Sequence, residues 1–144
     1  MSETPPVVTA FADHESTAIG RRIAEHAGSN PGKSGFRIIR YGRQALATRI
    51  AWADLAEKSL DVQYYIWEAD PTGRILAERL VRAAERGVRV RVLLDDINLS
   101  GREARIAALD AHPNVEIRIF NPFSNRRFRL LDFVADLARV NHRM

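Results

Sequence analysis

The chain has 144 residues, 46% of them apolar and 28% charged, with 22 basic against 18 acidic side chains and a formal charge of +4. That balance is typical of one ordinary globular domain and excludes a disordered tail. The lack of any cysteine excludes disulfide frameworks, thiolate metal sites, iron–sulfur clusters and cysteine nucleophiles.

Charge is unevenly placed. Residues 1–117 carry 16 basic and 16 acidic side chains, and residues 118–144 carry 6 and 2, so the whole excess lies in the last stretch. Of the basic residues, only Lys33 and Lys58 are lysine. No apolar run approaches the roughly 18 residues that span a bilayer. The opening MSETPPVV has neither the basic start nor the apolar middle of a signal peptide.

In chain order, residues 1–14 read as a loose lead-in. A short helix is expected over 15–27, where Ile19, Ile23 and Ala27 recur every four residues; Asp13 is placed to cap it, and Gly28 and Pro31 to stop it. GSNPGKSG (28–35) is a linker by composition. Phe36–Ile39 is a strand candidate, and 43–59 an amphipathic helix with Leu46, Ile50 and Leu55 near one stripe. SLDVQYYIW (59–67), rich in β-branched and aromatic residues, reads as a strand, ADPTG (69–73) as a turn, and 75–87 as a helix ended by Gly87. VRVRVLLDD (88–96) begins in alternation and turns fully apolar, as a strand entering a core does. A helix over 101–111 and a strand over 114–120 complete the series. Strands separated by helices on short connections define an α/β class with a βαβαβ parallel-sheet core and an N-terminal helical lead-in. Residues 1–35 form the lead-in, helix and linker, and 36–144 the α/β domain.

Two motifs mislead. AGSNPGKS (27–34) matches a loose phosphate-loop pattern, and RVLLDD (91–96) resembles the strand that ends in a magnesium-binding Asp. That chemistry needs a strand before the loop and a helix after it, so that backbone N–H groups and the helix dipole meet the phosphates. Here the order is reversed, which marks the segment as a linker. His14, His26, His112 and His142 are isolated, with no pair at metal-ligand spacing.

Ligands of open α/β sheets gather at the carboxyl ends of the strands. Trp67, Asp95 and Asp96 stand at such ends, and Tyr65 shares a face with Gln63 and Trp67 by the two-residue period. The alternative for the two acids is that they cap the NLSGRE turn and the helix after it. Arg126, Arg127 and Arg129, beside Phe123 and Phe128, suit an anionic surface as well as a solvated loop.

From Ser34 onward the sequence resembles the first part of a phospholipase D superfamily protein, of the bacterial cardiolipin-synthase-like group. The resemblance is carried by SLDVQYYIWEADPTGRILAERLVRAAERGVRVRVLLDD, LDAHPNVEIRIFNPFSNRRFR and DFVADLARVNHRM. It implies a partial phospholipase D-like fold and a phosphatidyltransferase in which two His-x-Lys-x-x-x-x-Asp motifs come together. One histidine attacks phosphorus to give a phosphohistidine, the other protonates the leaving alcohol, and lysines hold the phosphoryl oxygens, with no metal or cofactor required. No histidine here is followed two positions later by lysine. In the family that motif comes directly after a stretch like RVNHRM, so the catalytic histidine is expected just past Met144. The chain is therefore expected to be a piece of a longer protein, inactive alone, with no catalytic residue of its own. Its expected partners are the missing C-terminal portion with its two motifs and an anionic phospholipid surface rather than nucleic acid. The expected location is cytoplasmic, peripheral on the inner membrane face. Without its next strand, the sheet is expected to keep an open edge. The alternatives are a nuclease or phosphodiesterase fragment of the same superfamily, and a non-enzymatic remnant that binds anionic membranes.

Overall fold

The computed structural model describes residues 11–96, 99 and 101–122. They fall into two units, one running to Ile38 and the other starting at Ile39.

In the first unit, a 3-10 turn at His14–Ser16 precedes helix α1, Ala18–Gly28. The cap of α1 is Thr17, not Asp13: the Thr17 hydroxyl oxygen accepts from the Gly20 N–H at 3.0 Å. A threonine one residue outside the helix satisfies an otherwise unpartnered amide of the first turn. Residues 29–32 after α1 form turns and neither helix nor strand follows through residue 40, so a helix precedes the GKS loop and none follows it directly.

The strand expected at Phe36–Ile39 does not form. Those residues have no regular structure and pair with no strand among the described residues, and Phe36 is 93% exposed. Strand-prone residues are not enough, because a strand also needs a neighbour to accept its hydrogen bonds.

The second unit holds α2 (Gly42–Leu55), β1 (Ser59–Tyr64), α3 (Pro71–Glu85), β2 (Arg89–Asp95), α4 (Glu103–Asp110) and β3 (Val115–Phe120). The three strands are parallel in the order β1-β2-β3, which makes the expected βαβαβ core. Val90, Val92 and Leu94 alternate onto one face of β2 and are buried with Leu80, Ala83 and Ala84 of α3 and Val115 of β3. Ile106 and Leu109 of α4 pack against the same cluster, so both connecting helices cover one face. On the other face the register aligns Asp61, Arg91 and Glu116 in one row across the strands. Arg91 grips Asp61 through two bonds of 2.7 Å. This paired fork holds the Asp61 carboxyl below the usual carboxylate range.

The ends of α3 explain its length. The helix begins at Pro71, four residues earlier than its apolar stripe indicates, because Asp70 caps it: its carboxylate accepts from the Gly73 N–H at 2.7 Å and from the Thr72 hydroxyl at 2.8 Å. Proline suits the first helical position, where no amide is needed. The helix stops at Gly87, whose φ of +87° lets its N–H reach Ala84 O and the Val88 N–H reach Ala83 O, the paired C-terminal bonds of a left-handed cap. The outer edge of β3 is partly closed by Asp110, which accepts from the Ile117 N–H at 2.7 Å. No strand among the described residues pairs with the outer edge of β1.

Candidate functional site

All three strands point their carboxyl ends the same way, and the loop of residues 65–70 lies at that end. Strand β1 stops at Tyr64, so Tyr65 and Trp67 belong to the loop and no longer share a face by strand alternation. Instead the chain folds back so that Trp67 meets Tyr64 edge-on, with ring centroids 5.0 Å apart. The Arg49 guanidinium of α2 sits 5.9 Å from the centre of the Tyr64 ring.

The loop lies directly on the first turn of α3. A Cβ on Gly73 would come within 1.9 Å of the Glu68 carbonyl oxygen and 3.1 Å of the Trp67 indole nitrogen. Only glycine allows this approach. From the other side Arg102, the residue that leads into α4, donates to the Trp67 carbonyl at 2.7 Å and to the Glu68 carboxylate at 2.5 Å. Loop 65–70 is thus held by α3 below and by the start of α4 beside it. The Asp70 carboxyl lies below the usual range, chiefly because the Gly73 amide bonds its charged form.

Trp67 lines a groove of about 110 Å³ between α3 and α4, with Val92, Leu94 and Ile117 of the sheet as its floor. Tyr65, 55% exposed, lines a different groove along β1 beside Trp52. Asp95 and Asp96 are buried, with 7% and 2% exposure. The backbone carbonyl of Asp96 accepts from the Leu99 N–H at 3.2 Å, and Leu99 O in turn accepts from the Arg102 N–H at 3.0 Å. The strand-end residues therefore do not converge on one pocket. Arg126, Arg127 and Arg129 lie outside the described residues. Sequence reading missed Arg102 and took Gly73 only as part of the ADPTG turn; the Asp-Pro pair in that run is the signal that marks the cap and the start of α3, but nothing local to Arg102 signals its reach back to Trp67.

Among the described residues, no group of three or more His, Asp or Glu side chains is placed to hold a metal ion. No helix among them is long and apolar enough to cross a membrane.

A parallel sheet with helices on one face, and an ordered loop at the strands' carboxyl ends, defines part of an α/β domain. No family model matches the chain. Single relatives do. It is 48% identical over 115 residues to cardiolipin synthase C of Escherichia coli, an alignment covering 80% of this chain and 24% of that protein. A Helicobacter pylori protein of uncharacterised function is 37% identical over 134 residues, 92% of this chain and 27% of that one. The major cardiolipin synthase of Bacillus subtilis is 33% identical over 60 residues. Over most of its length the chain is thus homologous to cardiolipin synthases of the phospholipase D superfamily. It spans about a quarter of the length of the first two of these relatives. In structure, an archaeal chromatin protein superposes with a TM-score of 0.48 at 18% identity, over 74% of this chain and 42% of that one, a likeness on which nothing is built.

Proposed function

We propose that this chain is the N-terminal portion of a phospholipase D-like phosphatidyltransferase of the cardiolipin synthase type. The observation that carries this reading is the 48% identity to cardiolipin synthase C over 115 residues, a span that includes most of the sheet and both connecting helices. In the complete enzyme, a histidine of one His-x-Lys-x-x-x-x-Asp motif attacks the phosphodiester phosphorus. The bond to the leaving alcohol breaks, and that alcohol takes its proton from the second histidine. The second histidine then deprotonates the acceptor alcohol, whose oxygen attacks the phosphorus and breaks the P–N bond, releasing the first histidine.

None of these groups is present in this sequence, because no histidine is followed two positions later by lysine. This portion contributes the sheet and the braced loop at its carboxyl ends, with Tyr65 and Trp67 as rim residues, Asp95 and Asp96 as buried acids at the end of β2, and Arg126, Arg127 and Arg129 as contacts to an anionic membrane. Attachment is peripheral, on the cytoplasmic face. Purified chain mixed with labelled anionic phospholipid is expected to neither move phosphatidyl groups nor retain label as phosphohistidine. Reproducible turnover by a homogeneous preparation would overturn this division of labour.

A further inference from the structure

The groove between α3 and α4 has a size, a lining and a rim that point to one kind of occupant. Its floor is the apolar sheet face, and its α3 wall is low because it is built from Gly73 and Ala77. At about 110 Å³ it falls well short of the roughly 300–1,000 Å³ of sites that enclose a small molecule. It is nearer the ~150 Å³ cavity that holds a single benzene ring. One large apolar side chain fills it.

The rim is basic. Arg74 and Arg105 line it and are exposed. Arg102 also lines it, but it is engaged by the Trp67 carbonyl and the Glu68 carboxylate, and Glu68 is the one acid among the lining residues. The field of Arg74 reaches Asp70, whereas no ion pair engages Arg105 among the described residues. Two guanidinium groups therefore flank an apolar socket, the arrangement in which a buried anchor supplies affinity and complementary rim charges supply selectivity.

We propose that the α3–α4 groove is a docking point for a protein segment that inserts one large apolar side chain and carries acidic residues on both sides of it. The groove shares Trp67 with the rim named above, but the proposal rests on the groove's own lining and charge and does not depend on that reading.

The test uses the whole 144-residue chain, ¹⁵N-labelled, titrated with acetyl-Glu-Glu-Phe-Glu-Glu-amide. Saturable shifts are expected at the Gly73, Ala77 and Ile106 amides and at the Trp67 indole N–H. The same peptide with Ala replacing Phe is expected to bind about tenfold more weakly. Ala77→Leu, which fills the socket, is expected to weaken the Phe peptide similarly. A peptide with Lys replacing every Glu is expected to bind only the Arg74→Glu, Arg105→Glu double variant, a reversal that loss of folding cannot produce. Equal binding of the Phe and Ala peptides, or an unchanged charge preference in the double variant, would overturn the proposal. So would an absence of saturable shifts, or shifts at these groups produced by anionic lipid vesicles and not by the peptide.

Discussion

Arg102 donates to the backbone carbonyl of Trp67 at 2.7 Å and so ties the start of α4 to the loop that follows β1, 35 residues earlier in the chain. Its second nitrogen takes the Glu68 carboxylate, so one side chain fixes two consecutive loop residues. Arg102→Ala is expected to release the loop while leaving the sheet intact. Amide exchange at residues 66–69 will rise, and exchange in β2 will stay unchanged. Equal acceleration in β2 would show instead that the tie supports the whole domain.

Gly73 answers the loop from the α3 side. Gly73→Ala places a methyl where the Glu68 carbonyl now sits, and the loop or the first turn must move. The expected cost is about 1–3 kcal/mol, read as a lower urea midpoint at unchanged slope. Ordinarily alanine is the better residue inside a helix, so a neutral or stabilising result would mean the close approach does not exist in solution.

Arg86 does for the end of α2 what Asp70 does for the start of α3. Its guanidinium donates to the carbonyls of Ala53 at 2.8 Å, Asp54 at 3.1 Å and Ala56 at 3.4 Å, which otherwise lack partners at a helix C-terminus. Arg86→Ala is expected to lower stability by about 1–3 kcal/mol. Arg86→Lys should recover only part of that, since the three carbonyls all meet one guanidinium nitrogen, Nη2, while Nη1 donates to the Arg82 carbonyl at 3.1 Å, and a single ammonium cannot take both places. Full recovery in the lysine variant would contradict this geometry. Thermal unfolding of the two variants side by side decides it.

Acid should loosen this domain at two identified carboxyls. Asp61 and Asp70 both have pKa values lowered on folding, by the Arg91 fork and by the Gly73 amide respectively. The folded state thus binds these protons more weakly than the unfolded chain. Their stabilising contribution is present above the ordinary aspartate pKa of about 3.9 and is lost as pH falls below it toward the folded values. Asp61→Asn and Asp70→Asn should each flatten the acid limb of a stability–pH curve. A limb as steep as that of the parent in both variants would assign the acid sensitivity to other groups.

Much of the core was legible because its residues obey simple periods. Val90, Val92 and Leu94 alternate in sequence and alternate in burial, and Leu76, Leu80 and Ala84 recur at helical spacing and are buried. Boundaries were harder. β1 ends at Tyr64 although β-prone residues run on to Trp67, because the chain must turn there to bring Trp67 beside Tyr64 and Glu68 onto Gly73. Phe36–Ile39 has strand chemistry but no paired neighbour among the described residues, and pairing is a property of two segments, not one. The site was least legible for the same reason: Arg102 acts on residues more than thirty positions away, and no local pattern encodes that distance.

Homology to Escherichia coli cardiolipin synthase C covers about a quarter of that protein's length, so the most direct test places this piece in a whole enzyme. The matched 115 residues of Escherichia coli cardiolipin synthase C would be replaced by their counterparts from this chain, and cardiolipin measured in cells that depend on the chimera. Cardiolipin production is the expected result. A chimera that accumulates in folded form yet makes none would contradict the assignment of this chain as the N-terminal part of a phosphatidyltransferase.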